Sequence, residues 1–146
     1  MRNIPKSSRV AVLAVAALLA IGSWVLQQIE TANRSPDEAA LFVAIEDKRS
    51  DVQVLGDGTV VKILPDDNHG SRHQRFLVKL DNGHVILIAH NIDLAPRIDA
   101  LRERDTISFF GEFEWNEKGG VVHWTHHDPR NKHPHGWLEH RGKRYQ

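Results

Sequence analysis

The chain has 146 residues, 40% of them hydrophobic, and its 19 Lys plus Arg balance 19 Asp plus Glu to a net charge of zero. That length predicts one domain, and the balanced charge excludes a global attraction to nucleic acid or anionic lipid. The absence of Cys excludes disulfides and thiolate metal centres.

Residues 10–26 carry no charge and follow Arg2, Lys6 and Arg9. A basic segment leading into an apolar run is the pattern of an export signal. It predicts a cytoplasmic N-terminus with the remainder across the membrane. Residues 1–28 are therefore expected to form a signal anchor, or a signal peptide cleaved after Gly22. The protein would be anchored in the inner membrane with its domain in the periplasm, or released there if cleaved.

Residues 29–50 read as a linker and a short amphipathic helix. Ser35, Pro36 and Glu38 supply a cap, a first-turn proline and a capping-box acid, and Leu41, Phe42 and Ile45 follow at helical spacing. From Asp51 the pattern is β. Val52 to Leu64 is strand-prone around Gly56-Asp57-Gly58, and Pro65 to Ser71 is a polar loop. Asn82-Gly83 is a strong hairpin signal. A two-residue turn there pairs Arg75 with His90 and puts His73, Arg75 and His90 together on the outer face. Asn91 to Arg104 reads as a helix, because Leu94, Ile98 and Leu101 are spaced i, i+4, i+7. Thr106 to Trp115 and Val121 to His126 form a second hairpin. Its register assigns Phe109, Phe113, Trp115 and Trp124 to the core, turns Phe110, Glu112 and Glu114 outward, and puts Glu114 beside His123. Residues 130–146 are expected to be a mostly irregular His-rich and basic tail, with Trp137 packed on the domain.

Strand, strand, strand, helix, strand, strand is the order of the OB-fold. The expectation is a mainly β, OB-like five-stranded barrel over residues 51–129, with one helix between strands 3 and 4.

The motifs His73-Gln74-Arg75-Phe76, Ala89 to Ile98, Gly111 to Asn116 and Gly119 to Pro129, with Gly136-Trp137 and Gly142 to Gln146, carry a resemblance over Asp66 to Gln146. The chain resembles an uncharacterised bacterial family of small exported proteins. That resemblance implies no reaction.

All 10 histidines lie beyond residue 68, and two groups of them suggest chemistry. In an OB barrel the outer face of strands 2 and 3 is the usual ligand surface. It is expected to hold His73, Arg75, His90 and Asn91, with Asp66 and Asp67 at its edge. Such a set suits a small anionic ligand, a glycan or an envelope protein, and makes nucleic acid an unfavoured partner. The second group, His126, His127, Asp128 and His133, suits zinc or another divalent ion. It carries the alternative reading, a metal-dependent hydrolase or nuclease. A continuous strand would separate His123 from His127 by about 13 Å at ~3.3 Å per residue, so that site requires the chain to leave the strand. No motif such as HExxH fixes an enzyme class.

Overall fold

Inward alternation of Val54, Val60, Phe76, Val78, Ile86, Ile88, Ile107, Phe109, Phe113 and Val122, each 0–1% exposed, curls the strands around one core. The computed structural model describes residues 19–23 and 35–146. Residues 19–23 are helical and belong to a unit ending at Ser35, whereas Pro36–Gln146 forms the second unit. Most of the apolar run 10–26 lies outside the described residues. Among those described, no helix is long and apolar enough to cross a membrane.

Helix α1 (Pro36–Glu46) starts at its proline, as the cap signal predicts, and buries Leu41 and Ala44. Strand β1 (Val52–Ile63) runs through Gly56 and Gly58 in unbroken register with its β4 neighbour, and its register on β2 shifts between Val60 and Lys62. A Cβ on Gly56 would sit 2.9 Å or less from the Phe109 ring and 3.0 Å from Leu41, so the helix packs on the barrel where β1 lacks a side chain. Strands β2 (His73–Lys79), β3 (Val85–Asn91), β4 (Thr106–Glu114) and β5 (Val121–His123) complete the wall. The strand order is β1-β2-β3-β5-β4, and β4 pairs back along β1 from Val52↔Phe113 to Thr59↔Thr106. This is a closed five-stranded barrel, mixed because β3 and β5 run parallel while the other neighbours are antiparallel.

Three expectations are corrected. The β2–β3 register is one residue away from the predicted one: Arg75 faces Ala89, and Gln74 faces His90. The loop is Asp81-Asn82-Gly83, closed by Leu80 N–H donating to the His84 carbonyl, with Gly83 at φ 84°. A three-residue loop ending in a left-handed glycine replaces the two-residue turn, and the slip carries His90 inward.

The segment 92–104 forms turns, not a helix. After one turn from Asn91 to Ala95, Pro96 removes a donor, and buried side chains claim the backbone. Gln74 Nε2 donates to the Ile98 carbonyl at 3.0 Å, and Ile98 N–H donates to Gln74 Oε1 at 2.9 Å. Ile98 is buried, while Leu94 is 44% exposed, so the apolar spacing does not mark a helix face.

The tail is not irregular. Strand β6 (Trp137–His140) pairs with β4 outside the barrel, and β7 (Lys143–Tyr145) pairs with β6. The sheet thus continues past residue 129. Gly136 permits this return: a Cβ there would collide with the Trp124 and Phe110 carbonyl oxygens.

Candidate functional site

Side chains that alternate outward from β2, β3, β5 and β4 meet on one flank of the barrel. Leu87, Ala89 and Val121 line a groove of about 350 Å³, bordered by His73 and Arg75 from β2 and by His123 from β5. A second hollow of about 200 Å³ involves His73, Asn91, His123, Trp124 and His126. A third, of about 710 Å³, is lined by Leu94, Trp124, Arg130, Lys132 and His133 among others.

His90 is absent from this surface. It is fully buried, with Nε2–H donating to the Pro96 carbonyl at 3.2 Å, which leaves Nδ1 to accept the Thr125 hydroxyl at 2.8 Å. Burial is the main reason its pKa falls to about 4, overriding those hydrogen bonds. It is a neutral structural group, and the register slip accounts for its removal from the outer face.

The other expected ligand residues are partly engaged by the protein. Arg75 donates from Nε and Nη2 to the Pro65 carbonyl at 3.2 and 3.1 Å, and its Nη1 lies 3.9 Å from Asp67. His73 Nδ1–H donates to the Ser71 carbonyl at 2.8 Å, which leaves the lone pair on Nε2. Asp66 forms a two-pronged pair with Arg97 at 2.9 and 3.3 Å. Asp67 accepts His69 N–H, and that bond leads in holding its carboxyl below the usual range. Asn91 accepts Asp93 N–H and shapes the turn. Of the six, His73, Arg75 and Asp67 line the main groove, Asn91 lines the adjoining hollow, and Asp66 is tied to Arg97.

No three of His126, His127, Asp128 and His133 bring their donor atoms within 4.8 Å of one another. The Asp128 carboxylate accepts backbone N–H groups from Arg130, Lys132 and His133 at 2.6–3.0 Å. The first two bonds dominate in lowering its pKa to about 2. His126 Nδ1–H donates to the His127 carbonyl, and His127 packs against His135. These residues form a loop clasp.

The rim formed by β4 and β5 is different. Among the described residues, Glu112, Glu114 and His123 are the one group of three His, Asp or Glu whose donor atoms all lie within 4.8 Å of one another. Glu112 pairs with His123 across the strands. The expected neighbour, Glu114, is also near, with separations from His123 Nε2 of 3.4 Å to Glu112 and 3.9 Å to Glu114. Burial lowers the His123 pKa against the pull of both carboxylates. The other Glu112 oxygen accepts His133 Nε2–H at 2.7 Å. Burial acts to lower the His133 pKa, but that bond, the Pro134 carbonyl and the nearby acids together raise it.

Trp124 corrects the expected core. β5 ends at His123, Trp124 takes φ 53°, and its ring stacks on His133 at 4.2 Å and 12°. Strand parity could not show this, because parity ends where the strand does. Phe109 and Phe113 are buried as expected, and Trp115 packs at the core's edge.

Residues 24–146 match the family described as protein of unknown function (DUF3465). The chain belongs to that family. No curated protein and no solved structure matches it. The DUF3465 region spans α1, the whole barrel and the β6–β7 hairpin, so it includes every residue of the groove and its rim.

Proposed function

We propose that this DUF3465 protein is an exported, membrane-tethered binding domain of OB type whose ligand face is the groove across β2, β3 and β5. The strand order with parallel β3 and β5 supports the OB assignment. The basic and apolar N-terminal pattern supports tethering.

The observation that carries the reading is the groove itself. An apolar floor of Leu87, Ala89 and Val121 lies between Arg75, His73 and Asp67 on one side and His123 and Glu114 on the other. Few convergent polar groups around an apolar hollow suit a small ligand. A guanidinium beside an imidazole suits an anionic group on it, whether a free small molecule or an acidic glycan of the cell envelope. The groove is preferred to the hydrolase alternative on His126, His127, Asp128 and His133, where Asp128 already accepts three backbone N–H groups.

The test is an NMR titration of the full chain, in detergent, with inorganic phosphate and separately with glucuronate. Amide signals at His73, Arg75, Ala89 and His123 are expected to move with at least one of them, and Arg75→Glu should abolish the response with its circular dichroism unchanged. Shifts confined to other surfaces, or a response that survives Arg75→Glu, would overturn the reading. Alkaline extraction of membranes tests the tether: the chain should remain in the pellet.

A further inference from the structure

We propose that Glu112, Glu114 and His123 bind a first-row divalent cation, zinc foremost, on the rim formed by β4 and β5. This site is separate from the clasp around Asp128 and does not depend on the anion reading of the groove.

The spacing supports it. Zinc held tetrahedrally by nitrogen and oxygen at ~2.0–2.1 Å keeps its donor atoms roughly 3.3 Å apart. His123 Nε2 is already 3.4 Å from Glu112 Oε1 and 3.9 Å from Glu114 Oε1. Small rotations of the two glutamates close the remaining distance, and the Glu114 side chain is 32% exposed and able to make them. Strand pairing presets the rest: Glu112 is opposite His123, and Glu114 is two residues along on the same face.

An ordinary ion pair does not account for the arrangement. A charge-assisted N–H···O bond closes to about 2.7–2.9 Å. His133 makes such a bond to Glu112 at 2.7 Å, so the carboxylate is a competent acceptor. The His123 Nε2 atom is buried from solvent and makes no hydrogen bond at all, although two carboxylates surround it. The His123 side chain as a whole is 33% exposed, and its unpartnered Nε2 is a costly orphan that a cation between the two carboxylates would satisfy.

The donor set selects the ion. One imidazole with two carboxylates suits zinc and its neighbours, while calcium needs six to eight oxygens. His133 would be the outer partner that fixes Glu112, and it is itself braced by its stack on Trp124. Three protein ligands leave a coordination position open. Glu114 and His123 also line the groove, so that position lies at the groove's edge.

The experiment is competition dialysis of the untagged full chain, stripped with chelator and exposed to zinc alone or zinc with excess calcium, with elemental analysis of the retained metal. One zinc per chain is expected, undiminished by calcium. His123→Ala and Glu114→Gln should each weaken it more than ~100-fold, and His133→Ala by ~10–100-fold, the usual cost of losing an outer partner. His127→Ala should leave it unchanged. X-ray absorption of the zinc-loaded chain should give only nitrogen and oxygen neighbours near ~2.0 Å, which tests the site even if a variant misfolds. No retained zinc would overturn the proposal. So would zinc that survives His123→Ala and is lost in His127→Ala. Either result would leave the Arg75-dependent anion response standing, so the two readings fail separately.

Discussion

His90 and His123 lie on the neighbouring parallel strands β3 and β5, one facing the barrel interior and the other the flank. Burial lowers the pKa of both. Inside, the protein completes the imidazole's hydrogen bonds with Thr125 and Pro96, and a buried Gln74 does the same for Ile98. Outside, Glu112, Glu114 and His123 sit together with a nitrogen unbonded. The interior polar groups thus serve to hold a loop where the apolar spacing predicts a helix, while the flank leaves one imidazole nitrogen unbonded.

Breaking the interior side should produce the largest effects. Gln74→Ala leaves the buried Ile98 N–H and carbonyl without partners. At about 2 kcal/mol per orphaned group, the expected loss is about 4 kcal/mol, measurable by urea unfolding. The pH response of His90 comes next. Its folded pKa of about 4 lies below the unfolded 6.5, so the unfolded chain binds more protons between those values. Stability is full above pH 6.5 and is lost as pH falls towards 4, by about 3 kcal/mol in all. His90→Gln should flatten that slope in denaturation curves taken across the range.

Smaller changes sharpen the contrast. Thr125→Val removes the hydroxyl that donates to His90 Nδ1 and should cost about 1–2 kcal/mol, read as a shift in the urea midpoint. On the flank, Glu112→Gln keeps an oxygen to accept His133 Nε2–H and should cost about 1 kcal/mol. The His133 pKa, raised in the folded chain, should fall in an NMR titration of that variant. The sign is opposite to that of His90: the His133–Glu112 pair contributes most below the unfolded histidine pKa and fades as pH rises through the folded one. A Glu112→Gln variant as damaging as Gln74→Ala would erase the distinction between the two faces.

The sequence revealed the wall of this barrel better than its connections. Alternation in Phe76 to Leu80 and Thr106 to Glu114 identifies strands directly, and Asn82-Gly83 marks a hairpin. The loop length is a local conformational choice that both Asn and Gly permit, and one extra residue moved His90 from flank to core. The loop 92–104 has helical apolar spacing, yet its shape is decided by Gln74 and His90, whose part in it is visible only after folding. Strands β6 and β7 are short, and β6 depends on a distant partner, Phe109↔Leu138, reached through Gly136. For the site, the outward placement of Glu112 and Glu114 and the proximity of Glu114 to His123 were legible. The histidine-rich run after His123 forms a clasp instead, because composition does not show which donors are already bonded.

The closing of β4 onto β1 has a kinetic consequence. Val52 must find Phe113 before the barrel wall closes, and Ser108 must find Glu139 before β6 docks on β4. Contacts so distant along the chain place such barrels among the slower folders, from milliseconds to seconds. Until then β4 has an open edge, although Glu112, Glu114 and His123 already share the local β4–β5 hairpin. The rim thus comes from local pairing, whereas the groove beside it, which needs Leu87 of β3 next to Val121 of β5, is complete only once the distant strands have met.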